Sequence, residues 1–144
     1  MRGVDDLTAK EYLNQARTLD MLINSRQNEL YKLRLMAKSV SSPKLGEKVK
    51  SGGGNNAMSV VDKIIDMQRQ INDEIDKLVD LKAEIRRRIA MLDDPFEQTI
   101  LTERYINNKD WAEIAKIIRY GERNIRYLHG RALQNFAVVC RSLP

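Results

Sequence analysis

The chain has 144 residues, 42% of them hydrophobic, 31% charged and only 6% aromatic, a balance of Leu, Ile and Ala with Lys, Arg, Glu and Asp that suits long helices and argues against a sheet. A net charge of +5 and a pI near 9.4 lean mildly towards polyanions. The single cysteine, Cys140, excludes an intrachain disulfide and a CxxC metal site, and no apolar run has membrane length or a signal-peptide pattern, so a cytoplasmic protein with no membrane partner is expected.

A first helix is expected from "LTAKEY", where Thr8 and Glu11 have capping-box spacing and Leu7 and Tyr12 can staple across the start. From Tyr12 through Ala16, Leu19, Ile23, Leu30, Leu33 and Ala37 to Val40, apolar residues recur at four–three spacing, broken only by Arg26. This heptad-like stripe packs helices side by side. "SVSSPKLGEKVKSGGGNN", with Pro43 and Gly52 to Gly54, has no periodic apolar face, and residues 41–56 read as a mobile loop.

A second long helix is expected from about Met58 to Leu92, with a seam of Val61, Ile64, Gln68, Ile71, Ile75, Leu78, Lys82, Ile85, Ile89 and Leu92. Two long helices with matching stripes predict a coiled-coil-like antiparallel hairpin over residues 1–93. Met67, Val79 and Leu81 exceed what one partner helix needs, which points to a further helix, from the C-terminal module or from a second copy in a homodimer. The run Arg86, Arg87 and Arg88 reads as a solvated face.

"LDDPFEQ" marks the boundary to a second module, residues 94–144. Asp94 can cap, Pro95 fits the first helical turn, and Glu97 completes a capping box. That helix should run to Ile106, "NNK" should turn, and Asp110 with Glu113 should open the next helix. "RYG" breaks that one, and a last helix runs from about Glu122 towards Val139. The fold class is therefore all-α.

Residues 110–133 follow helix-turn-helix grammar, with Ala115 allowing close approach and Ile118, Ile125 and Leu128 filling the angle between the helices. With Ile125, Leu128, Ala132 and Leu133 facing inward, the early outward face offers Glu122, Arg123, Arg126 and Tyr127 to base edges. Arginine can reach guanine O6 and N7 with two hydrogen bonds, and glutamate can accept from cytosine N4. Asn124 and Arg131 lie to the sides, where phosphates would be. Trp111 reads as a packing residue, His129 as a surface or phosphate-side residue, and Cys140 as inert. With no P-loop, nucleophile–base pair or ligand cluster, neither enzymatic activity nor a cofactor or metal is expected.

The segment "LTERYINNKDWAEIAKIIRYGERNIRYLHGRALQNF" resembles region 4 of sigma-70-type factors, the module that reads the promoter −35 element. It is most similar to small phage and prophage regulators with a sigma-like region 4, the ArpU and RinA types of late-gene activator. "ERYINNKDWAEIA" and "GERNIRYLHGRAL" carry the likeness, and "AKEYL" with "EIDKLVDLKAEIRRRI" resembles the family's long helical portion. The resemblance implies base contacts by Glu122, Arg123, Arg126 and Tyr127 and backbone contacts by Asn124 and Arg131, and Arg119, just ahead of the helix, is a further candidate for a backbone contact. The resemblance further implies a transcription regulator that binds double-stranded DNA and activates by recruiting host RNA polymerase. Two positions depart from the family: Arg119 stands at its turn glycine, and Gly121 replaces its Ser or Thr cap. A small terminase-like packaging subunit and a coiled-coil or anti-sigma-like interaction protein without DNA binding are the alternatives.

Overall fold

The computed structural model describes residues 2–40 and 51–143, with side chains over 8–39 and 59–143. Among the described residues the chain is all-helical, with no strand. Its elements are α1 (Arg2–Val40), α2 (Ser51–Ile89), α3 (Pro95–Leu101), a wider π turn over Thr102–Ile106, α4 (Trp111–Ile118) and α5 (Glu122–Ser142).

Two helix starts differ from those expected. Thr8 lies inside α1, because Thr-x-x-Glu spacing caps a helix only where the threonine backbone is extended, and here the helix already runs from Arg2. Of the loop expected over 41–56, residues 41–50 lie outside the described residues, while Ser51 to Asn56 are helical and α2 begins seven residues before Met58. Glycine disfavours helix by about 1 kcal/mol per residue without forbidding it, and a helix already nucleated downstream propagates one hydrogen bond at a time.

Compact packing groups the chain into two units, residues 1–19 with 78–144, and residues 20–77. In the first, Leu13 and Ala16 of α1 and Ile85 and Ile89 of α2 are buried, as are Tyr105, Ile114, Ile125 and Phe136 from the C-terminal helices. Tyr12 joins three helices: its hydroxyl donates to Glu84 Oε1 at 2.5 Å, its ring stacks on Phe136 at 6.1 Å, and the Arg88 guanidinium lies 4.9 Å above it. Arg88 also donates to Cys140 Sγ at 3.4 Å, so of the three arginines expected in solvent only Arg86 and Arg87 are exposed.

In the second unit, Ile23, Leu30 and Ile71 are buried. Arg26 pairs with Glu74 at 3.3 Å, and Arg34 donates to Gln68 at 2.7 Å, giving the two seam breaks Arg26 and Gln68 partners on the facing helix. Val61, assigned to the seam, is instead exposed.

The short helices start where their caps dictate. Asp94 is extended and its side chain accepts from Phe96 N at 2.8 Å, with Pro95 in the first turn. Glu97 does not close the expected box. It is buried, and both its oxygens accept from Asn135 Nδ2 of α5, at 2.9 and 3.1 Å. The box at Asp110 is complete: its carboxylate accepts from Glu113 N at 2.9 Å, and Glu113 accepts from Asp110 N at 3.0 Å. Between the two, Asn107 N donates five residues back to Thr102 O at 3.0 Å. The wider turn rotates the chain less per residue, so neighbours Tyr105 and Ile106 both face inward.

Candidate nucleic-acid interface

Seven side chains were assigned to DNA from the sequence: Glu122, Arg123, Arg126 and Tyr127 to base edges, and Asn124, Arg131 and Arg119 to the backbone. How they are held follows from α4 and α5. Ile100, Ile114 and Ile125 form a buried cluster, against which Trp111, Ala115, Ile118 and Leu128 pack. This small core fixes α4 against the start of α5.

The turn between these helices closes on Arg119, whose backbone is left-handed at φ 69° and ψ 35°. Its N–H donates to Ala115 O at 2.7 Å, and Tyr120 N reaches the same carbonyl at 3.2 Å. Gly121 is extended and precedes α5 without a side-chain cap, although a Cβ there would meet nothing within 4 Å. The conformation explains why a glycine belongs at this turn: a side chain in the left-handed region costs about 1 kcal/mol. Arg119→Gly should therefore stabilise the protein by about 1 kcal/mol, raising Tm by a few degrees in a thermal melt. An unchanged or lower Tm would mean that the arginine side chain compensates for its backbone strain.

All seven assigned residues are exposed. Among the described residues none of Arg119, Arg123, Arg126 and Arg131 makes an ion pair. By helical spacing Arg123, Tyr127 and Arg131 follow one another up the outer side of α5, opposite buried Ile125, His129 and Phe136. Arg126 stands about 60° around from Arg123. Arg131 has different surroundings from the rest, since it lines a cleft of about 320 Å³ together with Asp93, Asp94, Glu97 and Asn135. Those carboxylates offset part of its positive field, and Arg123 does not line this cleft.

Two of the residues that brace this face, Tyr105 and His129, were not identifiable from sequence. His129, expected at the surface, is buried: its Nε2 lies 2.7 Å from the Tyr105 hydroxyl and its ring meets the Trp111 edge at 4.6 Å. Burial pushes its pKa down to about 4, helped by the positive charges of Lys10 and Arg104. Burial also raises the Tyr105 phenol to about 12, so it keeps its proton and can donate to a neutral imidazole. Trp111 packs as expected, and the Arg104 guanidinium covers its ring at 4.3 Å. Arg104 Nη1 in turn donates to Lys109 O at 3.1 Å, and Arg17 Nη1 donates to Arg104 O at 3.0 Å. Nothing local in the sequence links Tyr105 to His129 or Arg17 to Arg104.

Among the described residues no group of His, Cys, Asp and Glu could hold a metal ion, and no helix is long and apolar enough to cross a membrane. Neither a curated protein nor a solved structure is significantly similar to the chain. Residues 39–131, which reach from the end of α1 through α4 to the outer face of α5, match a family model described as a protein of unknown function, DUF1492, and the chain belongs to that family.

Proposed function

We propose that this protein is a sequence-specific DNA-binding transcription regulator of the phage and prophage type. In this reading α1 and α2 form an antiparallel hairpin, which is supported within residues 20–77 by the pairing of Arg26 with Glu74 and Arg34 with Gln68 in opposite senses along the two helices. Helices α4 and α5 form a helix-turn-helix, with the early face of α5 entering the major groove. One observation carries the reading: Arg123, Arg126 and Tyr127 are exposed at the start of a helix that packs through buried Ile125 against Ile114 of its neighbour. Unpaired guanidiniums on a rigid helix lose little on binding and can reach guanine edges in pairs of hydrogen bonds. The likeness to sigma region 4 supports extending the function to recruitment of RNA polymerase.

Selection from random duplexes should enrich one site. On it, Arg123→Ala and Arg126→Ala should each lose about 1–3 kcal/mol and relax the preference at one base position. Arg131→Ala should weaken all sequences alike and reduce the salt slope by at most about 1, because the acidic cleft already offsets part of its charge. A selection that enriches nothing, or full binding by both the Arg123 and Arg126 variants, would overturn the proposal.

A further inference from the structure

The unit of residues 20–77 has little interior of its own. Its two helical segments bury Ile23, Leu30 and Ile71, yet expose Met21, Leu22, Tyr31, Leu35 and Met36 on α1 and Val61 and Ile65 on α2. Among the described residues of this unit seven large apolar side chains in solvent outnumber the three fully buried, while Leu33, Ile64, Met67 and Ile75 are half-buried, the reverse of what a self-sufficient unit shows. Two helices are also too thin a layer to enclose a core.

We infer that this unit is the docking surface for a second copy of the chain, with α1 of one copy against α2 of the other in a two-fold four-helix bundle. Met21, Leu35 and Met36 fall within about 100° of one another around α1, and Val61 and Ile65 within about 40° on α2, so each helix offers an apolar strip that a partner helix can cover. Their polar neighbours have the charge pattern that such an arrangement needs. Residues 20–39 carry Arg26, Lys32, Arg34 and Lys38 against Asp20 and Glu29, a net of +2. Residues 59–77 carry Asp62, Asp66, Asp73, Glu74 and Asp76 against Lys63, Arg69 and Lys77, a net of −2.

In a two-fold bundle each basic segment then adjoins the acidic segment of the other copy, and segments of like sign lie on the diagonal. The chain already uses this chemistry internally, in the Arg26–Glu74 pair. A surface with one basic and one acidic helix complements itself under a two-fold axis, so the symmetry that closes a dimer also satisfies its charges.

Sedimentation equilibrium of the full chain without DNA tests this independently of promoter recognition. At tens of micromolar the mass should be twice the 16.7 kDa of one chain. Leu35→Glu combined with Ile65→Glu should raise the dissociation constant at least about a hundredfold. Helical circular dichroism should be kept, because both side chains face solvent in the single chain. Tyr31→Glu with Met36→Glu repeats the test at other positions, should the first pair lose helicity. A wild-type mass of one chain, association beyond two copies, or a dimer that survives both pairs of substitutions would overturn the inference. A dimer that binds no DNA would uphold it while removing the proposed function.

Discussion

Ile85→Asp should unfold the unit that contains α5, whereas Ile75→Asp should only weaken the protein. Both are seam residues of α2, and sequence alone treats them alike. Ile85 is 0% exposed, while Ile75 is half-buried and keeps access to water. At Ile85 the new carboxylate must either be desolvated without a partner or take up a proton, and the packing of the isoleucine is lost as well. Together these cost on the order of 5 kcal/mol, comparable to the whole stability of a small domain. At Ile75 the carboxylate can turn outward, and a loss of about 1–2 kcal/mol is expected. Urea melts followed by far-ultraviolet circular dichroism distinguish the two. Equal midpoints for both variants would mean that Ile85 is not the core residue described here.

The second large effect is acid destabilisation centred on His129. Its folded-state pKa is lowered from 6.5 to about 4, first by burial and then by Lys10 and Arg104. Above pH 6.5 the imidazole is neutral in both folded and unfolded chains, and its contribution is complete. As pH falls through 6.5 the unfolded chain takes up a proton that the folded chain refuses, so stability declines until about pH 4. At about 1.4 kcal/mol per pKa unit the loss reaches at most about 3 kcal/mol.

Protonation would also require His129 to donate to the Tyr105 oxygen, beside two cations that oppose the added charge. Carboxylates titrate in the same range, so the comparison must be with His129→Gln, which cannot titrate. The wild type should lose more stability between pH 6.5 and 4 than this variant does. Parallel curves would show that His129 is solvated and ordinary.

Helical content was legible in the sequence because apolar periodicity and caps are local. The Asp110–Glu113 box formed as read, since both its hydrogen bonds span three residues, and α5 begins at Glu122 behind Gly121 as the spacing requires. Exposure of Glu122, Arg123, Asn124, Arg126 and Tyr127 was equally legible, because the apolar residues of α5 leave that side facing outward. Local signals failed where a residue had two possible partners. Glu97 has capping-box spacing from Asp94, yet its carboxylate joins Asn135 across 38 residues. Thr8 has the same spacing from Glu11, yet it lies in mid-helix.

What the amino-acid order determined by itself is where the helices of the C-terminal third begin, the caps at Asp94 and Asp110, and a basic outer face on the last helix, because hydrogen bonds and periodicity within a few residues suffice for each. The tertiary structure alone decided that His129 is buried against Tyr105 and Trp111, that Arg17 reaches the backbone of Arg104, and that Arg131 lines an acidic cleft while Arg123 does not. It also decided that Arg119 takes a left-handed backbone at the turn between α4 and α5, beside the cluster of Ile100, Ile114 and Ile125. These features depend on which surfaces meet after the helices pack, and the energy of that packing is spread over residues far apart in the chain.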